Sequence, residues 1–307
     1  MAVTNAAIQD PTPSRVLVVG ATGQLGGAIA RKLTAAGIPV RALARSRDKL
    51  QALAGPGVEL SATDLNNVAA INEACRGVTQ IVATANNNMG TGAQSPTKID
   101  LPAYQNLCAA ARNAGVKRLI FVSTRGADLD APVDLFRIKW YIENAIKRSG
   151  VPHVIVRSTA FMDIWIDQLI ANDIRRKGAA MIFGDGSGVA NYIAVDDLAE
   201  MMVRIVQRED VVNETIEVGG PTNIAFKDLA TQVERRLGSS GKRRHVPLFA
   251  LKFLPPIVKP FNEVAARMMT LGYQATLSNP FPGWKAAADR FGVSPRTTDA
   301  YVEQIKK

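Results

Sequence analysis

Short apolar runs rich in β-branched residues alternate with helix-like patterns through the first 220 residues, and this alternation restricts the fold more than any other feature. The runs predict strands over Val16–Val19, Val40–Ala44, Ile81–Ala83, Leu119–Ser123 and Val154–Arg157. The segments between them predict helices over Leu25–Ala36, Val68–Cys75, Ala103–Ala114 and Val133–Ser149. A glycine in the left-handed region commonly closes a helix, and one follows each pattern: Gly37, Gly77, Gly115 and Gly150. Because this alternation requires crossover connections, we predict an α/β fold with a doubly wound parallel sheet.

A glycine-rich loop joins the first predicted strand to the first predicted helix, with the sequence GATGQLG. Gly20 suits a tight turn, and the missing side chain at Gly23 lets the backbone approach a pyrophosphate closely. Gly26 lets the helix pack against the strand, while the helix N-terminus presents free N–H groups and a positive dipole to the anion. We therefore expect a dinucleotide here, in contact with Gly20, Thr22, Gly23, Gln24, Leu25 and Gly26.

The end of the second predicted strand distinguishes between the two nicotinamide dinucleotides. In NAD-selective folds an Asp or Glu there hydrogen-bonds the ribose 2′-hydroxyl. This strand instead runs into Arg45, Ser46 and Arg47. A guanidinium binds a 2′-phosphate that a carboxylate would repel. We therefore predict that Arg45 and Ser46 bind the 2′-phosphate of NADPH or NADP+, supported by Arg47 and Lys49; an ordinary solvated basic loop is the alternative.

The pattern becomes less regular after Phe161, which suggests a second part of the chain. Met181–Gly188 predicts a strand and a glycine-rich turn, and Asp196 is the predicted N-cap of the next helix. The sequence GSSG over Gly238–Gly241 predicts a flexible joint. We expect a loose tail over 1–13, a dinucleotide-binding Rossmann domain over 14–160, and a smaller C-terminal part over 161–307 that lies on the substrate side and partly completes the sheet.

Composition excludes several other classes of protein. The 307 residues are 47 % hydrophobic and 21 % charged, which is typical of a globular chain. Two cysteines and two histidines supply neither a disulfide framework nor a zinc-ligand set, so we predict no metal and expect Cys75 and Cys108 to be buried. The longest apolar stretch, Pro247–Val258, is too short for a membrane span, and the N-terminus lacks a secretory signal. These features predict a cytoplasmic location.

Charge is concentrated in the C-terminal part of the chain. The net charge is +10, and residues 241–307 contain eleven Lys and Arg against four Asp and Glu. Such a field favours anionic partners, although no motif indicates nucleic acid, and we expect none. Pro247–Phe261 combines bulky apolar residues with two lysines and four prolines, which disfavour a long helix. This segment suits a lid over an apolar substrate, a contact surface for a protein partner or an anionic membrane, or ordinary packing at the sheet edge.

Several motifs in order resemble a known family. Besides GATGQLG they are VRALARSRDKL (40–50), TDL (63–65), AAARNAGVKRLIFVST (109–124), IKWYIENAIKRSGVPHVIVRSTAFM (138–162) and FGVSPRTTDAYV (291–302). The chain resembles the NmrA-like branch of the atypical or extended short-chain dehydrogenase/reductase superfamily over residues 14–235, and in patches beyond. The resemblance implies that Asp64, with Leu65 beside it, contacts the adenine. It also implies that Phe161 lines the nicotinamide pocket, with core packing as the alternative.

Short-chain dehydrogenases generally use a Tyr-x-x-x-Lys pair one helical turn apart, in which the lysine binds the cofactor ribose. Lys139 matches that lysine, but Leu135 occupies the tyrosine position, so the usual proton donor is absent. We predict that Lys139 is catalytic and contacts the cofactor; a surface ion pair with Glu143 is the alternative. Ser123, a second predicted catalytic residue, ends a predicted strand.

Two further cofactor contacts, Thr84 and Ala85, are predicted at the same sheet edge, where open α/β sheets bind ligands. Asn86, Asn87 and Asn88 follow them and suit either a polar substrate or an Asn-rich turn.

These features support two hypotheses from different classes of protein. The first is an NADPH-dependent reductase that transfers hydride to a small, fairly apolar acceptor such as a quinone or enone. An acceptor that is already electrophilic needs hydride more than it needs a strong acid. The second is a non-catalytic NADP(H)-binding redox-sensing regulator or assembly factor of the NmrA-like type, which the missing tyrosine favours. A nucleotide-sugar epimerase would need that tyrosine.

Overall fold

The computed structural model describes residues 15–87 and 90–306. The strands in chain order are β1 (Val16–Val19), β2 (Val40–Ala44), β3 (Val58–Ala62), β4 (Gln80–Ala83), β5 (Arg118–Thr124), β6 (His153–Ser158), β7 (Ala160–Phe161), β8 (Ala180–Phe183), β9 (Val189–Ile193), β10 (Glu214–Val218), β11 (Asn223–Ala225) and β12 (Arg243–Val246). The central sheet has the order β10-β6-β5-β4-β1-β2-β3 with every neighbouring pair parallel. The predicted doubly wound parallel sheet is confirmed. Its winding reverses between β1 and β4, which opens a crevice at the carboxyl ends of the strands.

The helices in chain order are α1 (Gln24–Ala35), α2 (Arg47–Leu50), α3 (Val68–Cys75), α4 (Pro96–Asn113), α5 (Asp134–Arg148), α6 (Asn172–Lys177), α7 (Val195–Gln207), α8 (Phe226–Leu237), α9 (Leu248–Phe253), α10 (Pro255–Val258), α11 (Glu263–Thr276), α12 (Trp284–Phe291) and α13 (Thr298–Glu303). Single turns of 3₁₀-helix cover Gln51–Leu53 and Gly92–Gln94. A π-helix over Asp163–Ala171 continues directly into α6.

Alternate side chains of the central strands supply two separate cores, because neighbouring residues of a strand point to opposite faces. In β1, Val16 and Val18 pack with residues of α1, α7 and α12. Leu17 and Val19 pack on the other face with residues of α3, α4 and α5. All four side chains are fully buried, as expected for a parallel strand covered by helices on both faces.

A third core beside the central sheet is formed by part of the chain after β6, while α7, β10 and α12 belong to the first core. β11, β9 and β7 make a small mixed sheet, and β12 pairs in parallel with β8. The π-helix packs here with β8, α8 and α13, and Trp165 meets the rings of Phe183, Tyr192 and Phe226 edge-on. This part therefore has its own apolar interior.

Most predicted elements agree with the observed ones, but α4 begins at Pro96, seven residues before the predicted start at Ala103. Gly37, Gly77, Gly115 and Gly150 all have positive φ, between +66° and +78°, which confirms their predicted role at helix ends. The five predicted strands form the interior of the sheet, whereas its two edges, β3 and β10, follow no continuous apolar run. Edge strands are partly exposed, so polar residues such as Glu59 and Glu217 interrupt the hydrophobic pattern.

The prediction that Asp196 is the N-cap was wrong by two positions, because the N-cap residue is Ala194. Helix α7 begins at Val195, so Asp196 lies within its first turn, where a carboxylate can favour the helix dipole but cannot act as the N-cap residue. Asp163 of the π-helix instead accepts a hydrogen bond from the Val195 N–H at 2.9 Å. Asp196 forms salt bridges with Lys32 and Arg296.

Other expectations concern burial and the chain termini. Cys75 and Cys108 are buried, as predicted, in the core that faces α3 to α5. The predicted tail over 1–13 lies outside the described residues. Within the described ranges, no helix combines the length and apolar character that crossing a bilayer requires.

Candidate functional site

A cleft of about 1860 Å³ runs along the carboxyl ends of β1, β2, β4, β5 and β6. Its lining includes nearly all of the site residues predicted from the sequence: Gly20, Thr22, Gly23, Gln24, Leu25, Gly26, Arg45, Asp64, Leu65, Thr84, Ala85, Ser123, Lys139 and Phe161. The lining does not include Ser46, nor Arg47 and Lys49, which were predicted to support it at the 2′-phosphate. The topology thus brings residues from seven separate segments together at the crevice where the winding reverses.

The glycine loop at one end of the cleft has little space for side chains. Gly20 has φ +86°, and a Cβ there would lie 2.8 Å from the Ala85 backbone nitrogen. A Cβ on Gly26 would lie 2.2 Å from the Gly20 carbonyl oxygen. No side chain caps α1 and no acidic residue lies in its first turn, so its N-terminus is available to an anion.

A single cation lines the cleft at the end of β2. Arg45 is exposed and borders the cleft beside Asp64, whose carboxylate accepts hydrogen bonds from the Asn66 backbone N–H and side-chain amide at 2.8 and 2.9 Å. The Ser46 hydroxyl instead accepts a hydrogen bond from the Lys49 N–H at 3.3 Å and caps α2. Arg45 is therefore the better placed of the two residues predicted to bind a 2′-phosphate. We call this region, residues 20–26 with Arg45 and Asp64, the glycine end.

Lys139 is buried in the floor of the cleft. It is 8 % exposed, and its Nζ donates a hydrogen bond to the Val122 carbonyl at 3.0 Å and lies 4.6 Å from the centre of the Phe121 ring. Burial lowers the pKa of Lys139 to about 8, against the opposing effect of the nearby carboxylates of Asp100 and Glu143. The alternative of a surface ion pair with Glu143 does not apply, because both side chains are buried.

The carboxylate of Glu143 is fully buried and bonds elsewhere. It accepts hydrogen bonds from the Ser123 hydroxyl at 2.5 Å and from Nε and a terminal nitrogen of Arg157 at 2.9 and 2.7 Å. Ser123 and Arg157 both line the cleft, whereas Glu143 does not, so Glu143 orients two cleft residues from outside the lining. Such charge-assisted bonds hold a side chain in one rotamer. Leu135, one turn before Lys139, also lines the cleft and supplies no proton.

The strand ends between these groups are held by hydrogen bonds across the crevice. The Thr84 hydroxyl donates to the Val19 carbonyl at 3.0 Å, and Tyr104 donates to the Ala85 carbonyl at 2.7 Å. Asp100 is buried, and its carboxylate accepts a hydrogen bond from the Asn87 N–H at 3.1 Å. Burial raises the pKa of Asp100, although this N–H opposes the shift. Asn86 lines the cleft, and Asn88 lies outside the described residues.

The opposite end of the cleft is lined largely by apolar side chains from the C-terminal part. We call this the apolar end; its residues are Phe161, Trp165, Leu169, Met181, Phe183, Leu251, Met268 and Met269. Helix α11 lines the apolar end and also contacts residues of the predicted dinucleotide-binding domain. The Glu263 carboxylate accepts a hydrogen bond from the Gly92 N–H at 3.0 Å, and Arg267 lies 3.4 Å from Asp134. Methionines adapt to ligands of different shape, so this end suits an apolar ligand.

The residues of the cleft fit a nicotinamide dinucleotide. The glycine cradle would be filled by a Cβ, Arg45 stands where an acidic residue would select NAD, and Lys139 provides a buried ammonium between the two ends. The model of the NmrA-like family matches residues 12–294. This chain belongs to the NmrA-like family.

Proteins similar to this chain have names that describe different functions. The (4-alkanoyl-5-oxo-2,5-dihydrofuran-3-yl)methyl phosphate reductase of Streptomyces griseus is 30 % identical over 88 % of this chain and 96 % of that protein. The photosystem II assembly factor Ycf39 of Trieres chinensis is 26 % identical over 79 % of this chain and 75 % of its own. Among solved structures, the NADPH-dependent quinone oxidoreductase QOR2 of Escherichia coli, complexed with NADPH, has a TM-score of 0.78 at 21 % identity, covering 94 % of this chain and 98 % of its own.

Sequence reasoning missed part of this NmrA-like site. Arg157 and Asp100 line the cleft, but neither was predicted. Glu143 entered only as a surface partner for Lys139. A weak signal was present, because a glutamate one turn after the lysine faces the same side of the helix as the lysine. That spacing does not reveal which strand residues lie opposite.

Proposed function

We propose that this protein is an NADPH-dependent reductase that transfers hydride to a small, fairly apolar acceptor such as a quinone or enone. The observation that carries the proposal is one continuous cleft with a glycine cradle and Arg45 at one end, an apolar lining at the other, and the Lys139 ammonium between them. The quinone oxidoreductase and the furan reductase support it as relatives with reductase activity. We extend the proposal to a cytoplasmic protein of the short-chain dehydrogenase/reductase type.

Each end of the cleft has a defined task in this proposal. The cofactor supplies hydride when it is bound. The loop 20–26 binds its pyrophosphate, Arg45 the 2′-phosphate, Asp64 and Leu65 contact the adenine, and Lys139 binds the nicotinamide ribose. Glu143 fixes the rotamer of Ser123, which lines the cleft with Lys139 and Phe161.

The chain provides positioning more than acid catalysis. Leu135 cannot donate a proton, so the proposal favours an acceptor that is electrophilic without protonation. Holding the acceptor in contact with the nicotinamide is then most of the catalysis. The apolar end, with its two methionines, suits this task.

A second function is favoured by one observation. Leu135 removes the usual proton donor, and the Ycf39 relative is named an assembly factor rather than an enzyme. The alternative proposal is therefore an NADP(H)-binding regulator or assembly factor that uses the same cleft without turnover. It keeps the glycine end and Arg45 but requires no acceptor.

Calorimetric titration with NADPH and NADH, followed by turnover assays with quinones and enones, tests both proposals. We expect tight NADPH binding, weak NADH binding and oxidation of NADPH only when acceptor is present. Arg45→Asp should weaken NADPH binding about a hundredfold and spare NADH, because the new carboxylate repels the 2′-phosphate. Arg112→Asp is the matched control, since Arg112 is exposed near the end of α4 and lies outside the cleft lining.

The outcomes separate the two functions. NADPH binding without turnover of any acceptor supports the regulator. Equal affinity for the two dinucleotides, or an Arg45→Asp variant that still prefers NADPH, would contradict the assignment of the 2′-phosphate to Arg45. Failure to bind either dinucleotide would contradict both functions.

A further inference from the structure

A group of large apolar side chains lies exposed on the short helices α9 and α10 and the turn after them. We call it the apolar patch; it consists of Leu248, Phe249, Phe253, Leu254, Ile257 and Phe261. Phe249, Phe253 and Ile257 are 62–64 % exposed, and Phe261 is 89 % exposed. Contiguous exposed apolar side chains of this kind are uncommon on protein surfaces and mark contact sites.

The apolar patch is a fixed part of the fold rather than a loose segment. Ala250 and Leu251 on the opposite side of α9 are buried, and Leu251 packs in the third core. Both α9 and α10 pack against α11. Leu254 alone separates α9 from α10, which begins at Pro255, so the two helices remain short. The core therefore holds the six side chains outward, and none of them lines the cleft.

Only positive charge accompanies the apolar patch in the sequence. Residues 235–262 contain seven Lys and Arg and no Asp or Glu. Lys252 and Lys259 lie within the patch segment and are both exposed, with the Lys252 ammonium 5.2 Å from the centre of the Phe253 ring. The first carboxylate that follows, Glu263, hydrogen-bonds the Gly92 N–H. Arg236, Arg243 and Arg244 form salt bridges with Glu303, Glu234 and Asp173. Among the described residues no carboxylate pairs with Lys252 or Lys259, so the patch segment combines aromatic side chains with two ammonium groups.

This chemistry favours one occupant over the others. A second copy meeting the same patch about a twofold axis would bring Lys252 and Lys259 against their own counterparts, which is unfavourable. A bilayer with anionic headgroups complements both components: aromatic rings insert at the headgroup level, while lysine stems lie along the apolar surface and keep their ammonium groups among the phosphates.

We propose that the apolar patch docks the protein peripherally on the surface of an anionic lipid bilayer. No helix among the described residues could span that bilayer, so the attachment is interfacial and reversible. The proposal does not rest on the reductase activity, because the patch side chains lie outside the cleft. Binding should require both apolar contact and anionic lipid, and should weaken with salt because the charges act at the exposed surface.

Co-sedimentation of the full chain with vesicles tests the proposal. We expect binding to vesicles of phosphatidylcholine and phosphatidylglycerol in equal parts and little binding to phosphatidylcholine alone. The triple variant Phe249→Ser, Phe253→Ser, Phe261→Ser should lower the partition coefficient by about tenfold or more. Its matched control is Val68→Ser, Leu129→Ser, Val212→Ser, which removes exposed apolar side chains elsewhere and should bind as the wild type does.

A second pair of variants tests the contribution of the lysine charges. It also gives an independent test if the serine variant misfolds. Lys252→Glu with Lys259→Glu should lower binding by about tenfold or more at low salt, since each basic residue near an anionic surface contributes about fivefold. Lys117→Glu with Lys147→Glu makes the same charge change at exposed positions outside the patch and should change binding far less. Thermal unfolding confirms that each variant is folded.

Several results would overturn the proposal. These are absence of binding to anionic vesicles, equal binding to neutral vesicles, or unchanged binding of both patch variants. Analytical ultracentrifugation provides one more: a wild-type dimer that both patch variants dissociate would assign the apolar patch to a contact between two copies.

Discussion

The two ends of the cleft are built from different parts of the chain and from different kinds of atoms. The glycine end is largely backbone, supplied by one seven-residue loop and by strand termini, and a Cβ on Gly26 would collide with main chain. The apolar end is largely side chain, supplied by the π-helix, β8, α9 and α11. A site made of backbone atoms is rigid and can bind many different ligands that carry a phosphate. A site made of side chains can acquire a different ligand when those side chains are substituted.

The largest effect should come from a side chain placed in the glycine end. In Gly26→Val the new Cβ would lie 2.2 Å from the Gly20 carbonyl oxygen, so the loop must move. A cost of about 1–3 kcal/mol on the loop conformation that binds the cofactor corresponds to a loss of NADPH affinity of about fivefold to 150-fold, with lower thermal stability. Calorimetry and thermal unfolding measure both. Gly55→Ala is the control, because no atom lies within 4 Å of the added Cβ.

Lys139, between the two ends, should affect turnover more than stability. Lys139→Met should reduce any acceptor turnover by about a hundredfold and NADPH affinity by about tenfold, because the ribose contact positions the nicotinamide. Stability at pH 7 should be kept or increased, because the substitution removes a buried charge. Lys147→Met, exposed on the same helix, is the control for steady-state kinetics and unfolding. Unchanged kinetics in Lys139→Met would remove this lysine from the site.

The pKa of Lys139 predicts opposite pH trends for binding and stability. Because the folded pKa is about 8, the ammonium loses its proton above that pH, and NADPH affinity should fall by about tenfold between pH 7 and pH 9. The unfolded lysine keeps its proton up to about pH 10.5, so the unfolded chain binds more protons over this window. The contribution of Lys139 to the free energy of unfolding therefore rises from pH 8 to pH 10.5.

Lys139→Met isolates both trends. NADPH affinity is measured by calorimetry and the free energy of unfolding by denaturant, for both proteins across pH 7–10. The wild-type value minus the variant value should fall with pH for affinity and rise with pH for the free energy of unfolding. Parallel curves for the two proteins would show that another group titrates.

The smallest effect should come from the apolar end. Met268 is 38 % exposed and lines the cleft, so Met268→Ala removes part of the apolar lining and leaves the core intact. We expect KM for an apolar acceptor to rise by about threefold to fivefold, with NADPH affinity unchanged. Steady-state kinetics with several quinones checks this. A change in NADPH affinity instead would show that the two ends are not independent.

The same contrast explains which parts of the site could be predicted from the sequence. Residues 20–26 of the glycine end were predicted because they lie within one loop whose spacing follows from strand–turn–helix geometry, and Arg45 and Asp64 because each follows a strand. The network of Glu143, Ser123 and Arg157 was not predicted, because it depends on how α5 lies across β5 and β6. The apolar end joins segments from residue 161 to residue 269, and no local pattern states which of them meet. Likewise the central strands were predicted from continuous apolar runs, but the partly exposed edges β3 and β10 were not.

The two buried cysteines have a practical consequence. Burial raises the pKa of both Cys75 and Cys108 to about 11, and the reactive species of a thiol is its thiolate, so neither should react readily with alkylating reagents or peroxide at neutral pH. Thiol-reactive dyes should therefore label the native chain little, so a single introduced cysteine can be labelled selectively. A fluorophore attached after Phe261→Cys would be the one conjugated dye, and its emission would report the polarity around the most exposed phenylalanine as vesicles are added.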